Sequence, residues 1–448
     1  MLAEPNPTPA VPRACRARRP RGFTLVEIIV ALAAGLIVSM AAFFLAKNAT
    51  NFFQHEARIA TAQLATSFGI IRLSNDLQRA SFLTTRNVNS DTAVCKDSAS
   101  WTALGGLSNL AGIYISNSTS APAGTPPTTA FSPYNQQIVI GGSFTSTEVF
   151  TVECATVAGG SYAFQLQTAQ YDNAMARTVA NLGAGETLAT KIPTIFPAGR
   201  ILDIYDPSLA THVFGVITSA TANASNVATI QLNATPTIPT KPTSGCGLLQ
   251  PPHCGKGWVV APVQQVRYEI RQVAAGAANN AYQQMLASPV APDGTALSAV
   301  NGDANRTELV RVEVLPASMD TEDPNSLEVV SEFAVDLAFG ITVASKSDVS
   351  NYNPTVTSYG IGDSNVTSIA KLVGGGNNGT PQLIRSVQAR LSTRTRAPDR
   401  ETDISSASST DGRRLRMDLG LAAPLHYARL RTSYANVTLP NQGGFSLW

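Results

Sequence analysis

The sequence predicts an α+β protein, a long N-terminal transmembrane and amphipathic helix packed on a β-rich globular domain. Three observations predict it. From Phe23 to Ala46 the chain is apolar with Glu27 as its single charge, and a helix of that length reaches about 36 Å, enough for a bilayer core of about 30 Å. No proline interrupts Phe23 to Ser81, so the helix can run on as a second, more polar half. Beyond about residue 83 the period changes: Thr, Val and Ile alternate between short turn-forming clusters, the pattern of strands.

The first element is residues 1–22. Arg13, Arg16, Arg18, Arg19 and Arg21 precede the apolar run, while only Lys47 and Arg58 follow it closely. The positive side stays cytoplasmic, so the remainder of the chain faces outward. A secretory signal peptide has a similar plan, and Ser39-Met40-Ala41 has small residues at the right places for a cut. The apolar run is too long for that reading, and such a cut would leave Phe43, Phe44 and Leu45 on the mature terminus.

The segment Arg21-Gly22-Phe23-Thr24-Leu25-Val26-Glu27, opening an apolar helix, resembles the N-terminal signature of type IV pilins and type II secretion pseudopilins. The resemblance implies a pilin-like fold, cleavage after Gly22 by the prepilin peptidase, and N-methylation of Phe23. It also implies that Glu27 meets the terminal amine of a neighbouring subunit, two charges that an apolar filament core tolerates only as a pair. A plain anchor whose glutamate reaches the headgroups is the alternative. The division expected is leader 1–22, membrane half 23–46, amphipathic half 47–82 and β-rich domain 83–448. In the second half Leu64, Phe68 and Ile71 form one row and Ile70, Leu73 and Leu77 its neighbour, together a single apolar face, with Arg58, Arg72, Asp76 and Arg79 largely elsewhere on the wheel. Unlike many major pilins, the membrane half has no proline, and Gly35 is its one weak point.

The formal net charge is +2. Removing the leader, which carries five arginines against Glu4, takes it to −2 and leaves no basic stripe of the kind that marks a nucleic-acid partner. Of five cysteines, Cys15 lies in the leader. Cys95, Cys154, Cys246 and Cys254 remain as an even set in a domain sent to an oxidising compartment, which predicts two disulfides with three connectivities open. Loop length favours Cys95 with Cys154 and Cys246 with Cys254, since the second pair closes a short Gly/Pro-rich loop. A metal site on Cys246, His253 and Cys254 lacks a fourth ligand and standard spacing.

Candidate strands run Gln137–Ile140 and Glu148–Glu153, paired around Gly141-Gly142-Ser143, then Ile201–Tyr205, Val213–Thr218, Val227–Leu232, Trp258–Gln272, Glu308–Leu315, Leu327–Ala344, Gln382–Thr395 and Arg429–Leu439. Ser116–Pro133 and Asn233–Ser244 are too poor in apolar residues to form a core and are expected as loops. The order Val266-Arg267-Tyr268, Leu309-Val310-Arg311, Val335-Asp336-Leu337 and Ser386-Val387-Gln388-Ala389-Arg390-Leu391 resembles the PilW-type minor pilins, with pseudopilin J of type II secretion sharing the plan. That resemblance implies a non-catalytic subunit without cofactors, held in the inner membrane by one span with a periplasmic domain and then incorporated in an extracellular pilus. Its implied partners are other minor pilins, the major pilin, a tip adhesin and the inner-membrane assembly platform.

Other chemistry is weak in the sequence. His55-Glu56 lacks the second histidine of a zinc-protease helix, and Gly374–Gly379 lacks the Gly-Lys-Ser/Thr of a phosphate loop. Asp320, Glu322, Asp323 and Asn325 offer oxygen ligands without the spacing of an EF-hand. Arg390, Arg394, Arg396, Arg400, Arg413, Arg414 and Arg416 form a basic tract, but Asp399, Glu401, Asp403 and Asp411 intersperse it and make it a solvated mixed-charge segment.

Overall fold

The computed structural model describes residues 23–96, 104–118, 135–158, 160–241, 246–249, 254–271, 307–317, 321–345, 355–371, 379–396, 416–418 and 427–443. The chain divides into two units, residues 1–57 and 58–448. Helix α1 is Leu25–Leu77. In the first unit none of its residues is buried and it passes Gly35 without a break; it is long and apolar enough to cross a membrane.

In the second unit the chain continues through α2 (Gly105–Ser108), β1 (Ile113–Asn117), β2 (Gln136–Gly142), β3 (Phe150–Ala158), β4 (Ser161–Leu166), α3 (Asn173–Ala180) and α4 (Leu188–Ile195). Then come β5 (Ile201–Asp206), β6 (Thr211–Ala222), β7 (Ala228–Leu232), β8 (Thr240–Lys241), β9 (Leu248–Leu249), β10 (Val259–Arg271), β11 (Glu308–Val314) and β12 (Glu328–Ser331). The last elements are β13 (Ala334–Ser345), β14 (Thr355–Tyr359), α5 (Ser364–Ile369), β15 (Ile384–Arg394), β16 (Arg416–Asp418), β17 (Tyr427–Thr438) and α6 (Pro440–Gly443).

Strand β10 joins two architectures. Its first half pairs with β5 through Val259–Val263 and with β3 through Val259 and Val260. From β3 the pairing runs through β4, β7 and β6 to β5 and so returns to β10, a closed antiparallel ring of six strands. The ring encloses a core of Phe150, Phe164, Ile204, Ile230, Trp258 and Val260, with Leu188 and Ile192 of α4 packed on it. The second half of β10 pairs with β2 from Gln264 to Tyr268 and with β11 from Gln265 to Arg271. Pro262 has no N–H to donate, and it falls where β10 has left β3 and not yet met β2.

A five-stranded antiparallel sheet, β14-β13-β15-β17-β16, completes the unit. Between it and the β1, β2, β10 and β11 strands lies a second core, into which α1 sends Ile70, Leu73 and Leu77 to meet Tyr268, Leu309, Leu337, Phe339 and Leu391. The helix approaches closely because the row Ala62, Thr66, Gly69 is small. Thr393 donates its hydroxyl to the Ala62 carbonyl at 2.9 Å, Ser331 donates to Ala65 at 3.0 Å, and a Cβ on Gly69 would stand 2.5 Å from the Leu391 side chain.

Several expectations change here. Leu64, Phe68 and Ile71 are 57%, 65% and 54% exposed. They do not share the face of Ile70, Leu73 and Leu77, because the small row sets which side meets the strands and turns the larger side chains away. Asp76, placed elsewhere on the wheel by the sequence reading, is buried. The segments around Gly141-Gly142-Ser143 do not form a hairpin. β2 and β3 both flank β10 instead, and the two glycines lie within β2, where a Cβ would come 2.4 Å from the carbonyl oxygens of Ala111 and Arg79. They permit close backbone approach rather than a turn. The long strand expected over Leu327–Ala344 is split into β12 and β13 at Phe333, whose φ is 55°. Residues 119–133 and 374–378, read as loops and turns, lie outside the described residues.

Candidate functional site

The start of α1 is built by a local motif. Thr24 precedes the first helical residue and Glu27 stands three positions on, the arrangement of a capping box. The Thr24 hydroxyl accepts from the Glu27 amide at 3.3 Å, and the Glu27 carboxylate accepts from the Thr24 amide at 2.9 Å and from its hydroxyl at 3.1 Å. Both accepted bonds fall on Oε2, and Oε1 has no partner among the described residues. Phe23, the residue before the cap, is 81% exposed. Gly22, the other candidate processing residue, lies outside the described residues with the rest of the leader. The sequence reading took Glu27 for its charge and overlooked the cap, although the Thr-x-x-Glu spacing was there to be read.

A second acid of α1 sits among partners distant in sequence. Asp76 accepts from the Tyr268 hydroxyl at 2.7 Å, from Arg311 Nε at 2.6 Å and from Arg72 at 3.1 Å. Arg72 also holds Glu328 with two bonds of 3.1 Å. Burial, then the Asp76 carboxylate, pushes the Tyr268 hydroxyl well above the usual tyrosine range, so it stays a donor. The Arg311 guanidinium lies 5.7 Å from the Phe144 ring. No pattern within a short window could have found this network, because its members lie on α1, β10, β11 and β12.

The cysteines form two disulfides, but not the favoured pair. Cys95 joins Cys246 with a Cα separation of 5.5 Å, and Cys154 joins Cys254 at 4.7 Å. Loop length loses to strand register. β10 begins antiparallel to β3, and the pairing extends back until Ala155 donates to the Cys254 carbonyl, which sets Cys254 beside Cys154. Cys95 is carried by a segment that bridges His212 of β6 and is buried in the ring's core. With both in disulfides, Cys246 and Cys254 offer no thiolates to a metal; His253 lies outside the described residues.

The remaining polar clusters are structural. Asp323 caps the turn at Pro324–Ser326 and pairs with Arg200, while Glu322 pairs with Arg267 and Arg271, so the proposed oxygen ligands are held by arginines. Asp320 lies outside the described residues, and among those described no group of His, Cys, Asp and Glu converges to hold a metal ion. In the basic tract, Arg390 grips Asp336 with two bonds of 2.8 Å and Arg394 is buried over the Phe333 ring at 4.9 Å. Arg400, Arg413 and Arg414 fall outside the described residues. His212 Nδ1 lies 2.9 Å from Asp203 in the wall of the ring, with both side chains buried.

Residues 17–43 match the family described as the prokaryotic N-terminal methylation motif. The chain carries a type IV pilin-like prepilin signal. The match covers Gly22, Phe23 and Glu27 and runs on into α1. Such a signal implies processing by prepilin peptidase and assembly with other pilins, and it marks a pilin-like or pseudopilin-like structural subunit. The single N-terminal apolar helix suits anchoring in the inner membrane. No curated protein and no solved structure matches the chain.

Proposed function

We propose that this chain is a minor pilin of the PilW type, a structural subunit that primes assembly of a type IV pilus and occupies the filament or its tip. The prepilin peptidase cuts between Gly22 and Phe23, Phe23 is N-methylated, and Glu27 receives the new amine of the next subunit. Residues 23–46 serve as the membrane half, 47–82 as the amphipathic half and 83–448 as the periplasmic domain. The observation that carries this reading is the methylation motif at 17–43, placed at the head of a helix that continues into a large β-rich unit. That the cap occupies one oxygen of Glu27 and leaves Oε1 without a partner among the described residues supports the docking role. The exposed row Leu64, Phe68 and Ile71 supports helix packing between subunits.

Intact-mass analysis of the membrane-extracted protein is expected to give residues 23–448 with one added methyl group. Retention of the leader, or a cut after Ala41, overturns the proposal. The pseudopilin J reading shares the same signal, so deletion decides between them. Loss of surface fibres supports the minor pilin, and loss of protein secretion with fibres intact supports the pseudopilin.

A further inference from the structure

We propose that the cavity at the carboxyl-terminal end of α1 binds a carboxylated sugar, a function that does not depend on filament assembly. The cavity has a volume of about 720 Å³, and a second of about 330 Å³ shares Arg79, Phe144 and Thr147 with it. Three arginines line the larger one. Two are neutralised, Arg72 by Asp76 and Glu328 and Arg311 by Asp76. Arg79 is different. Among the described residues its guanidinium makes one hydrogen bond, to the Phe144 carbonyl at 3.2 Å, and no ion pair; the carboxylates that share its cavities, Asp76 and Glu148, are held by Arg72 and Arg311 and by Arg177. A half-buried planar fork with unused donors, at the junction of two cavities, is shaped for a carboxylate.

The rest of the lining selects the body of the ligand. Asn75 and Thr147 are exposed and make no side-chain hydrogen bond among the described residues, and Asn441, whose amide donates to the Gln78 carbonyl, lines the same cavity with no partner for its side-chain oxygen among those residues. These neutral groups both donate and accept, as sugar hydroxyls do. Phe82 and Phe144 are half-buried aromatic residues in the same lining, apolar surface on which the C–H face of a pyranose can lie. A few convergent polar groups around aromatic surface is the general composition of a small-ligand site. An acidic peptide would also satisfy Arg79, and its backbone amides could pair with Asn75 and Thr147, but its carboxylate side chains offer no flat C–H face to Phe82 and Phe144.

The test uses the full chain in detergent micelles and digalacturonate as probe, read by calorimetric titration. Digalacturonate is expected to bind, and Arg79→Gln to weaken it about ten- to a hundredfold, the loss of a charged hydrogen-bonded pair. The dimethyl ester of the probe is expected to lose affinity to a similar degree on the unaltered protein. Thr147→Trp, which puts an indole into the space common to both cavities and leaves residue 79 an arginine, is expected to weaken binding to a similar degree, and it stands in should Arg79→Gln fail to fold; equal binding to it also overturns the proposal. No binding of digalacturonate, equal binding to Arg79→Gln, or equal binding of the ester overturns the proposal. Tetraglutamate binding more tightly than digalacturonate also overturns it and reassigns the cavity to an acidic peptide.

Discussion

Helix α1 carries two acids that invite comparison, Glu27 near its start and Asp76 near its end. Glu27 is exposed and, among the described residues, its carboxylate is bonded to Thr24 alone, three residues away. Asp76 is 3% exposed and bonded to side chains 192 and 235 residues away. One is defined by its neighbours in sequence and the other by its neighbours in space. An exposed, locally satisfied carboxylate is available for a partner outside the chain. A buried carboxylate with three donors is committed to holding its own unit together, because removing it leaves the Tyr268 hydroxyl without its acceptor and, among the described residues, Arg311 with only the more distant Glu328, at 3.8 Å.

The comparison is tested most severely at Asp76. Asp76→Ala is expected to cost about 3–5 kcal/mol of folding stability, the penalty for leaving a buried partner charge uncompensated, measured by urea denaturation of the full chain in micelles. A loss below about 1 kcal/mol would place Asp76 with exposed groups such as Glu27. A second effect concerns the backbone beside it. Gly142→Ala is expected to cost about 1–3 kcal/mol, because the new Cβ meets the Arg79 carbonyl at 2.4 Å. A neutral result would restore the turn reading of Gly141-Gly142-Ser143.

A third test uses pH. Burial alone would push His212 down, but the Asp203 carboxylate, its hydrogen bond and Asp91 outweigh this and hold the histidine above its ordinary value. A raised folded-state value contributes stability that is fully present below about pH 6.5 and is lost as pH rises through the folded value. Denaturation midpoints are therefore expected to fall across that window, and Asp203→Asn to flatten the slope; a midpoint that rises there would reverse the sign. The smallest stability effect is expected at the helix start. Thr24→Ala should fray the first turn at about 1 kcal/mol with little change in the unit 58–448. Glu27→Ala should do the same and, in addition, reduce the number of surface pili. If the two variants reduce piliation equally, Glu27 acts only as a cap.

How much of this was legible varies with the range of the interaction. β5, β6, β7, β10, β11, β15 and β17 were found within a few residues, since each carries its own alternation and its own turn signals. α3 and α4 were missed, although Asp172 caps the first and Thr187 with Thr190 forms a capping box on the second. Those signals are short, and the helices of eight residues are too brief for a clear period. The ring closed by β10, the disulfide partners and the buried Asp76 network were beyond reach, because each depends on which segments meet.

The amino-acid order by itself determined the membrane-length helix, the processing signal at its head and the capped glutamate, since all three rest on residues within a few positions of one another. The fold decided which row of α1 faces inward, which cysteines join and which arginines line a common cavity. Those outcomes depend on the register of strands far apart in the chain, and register is set by packing rather than by any local pattern.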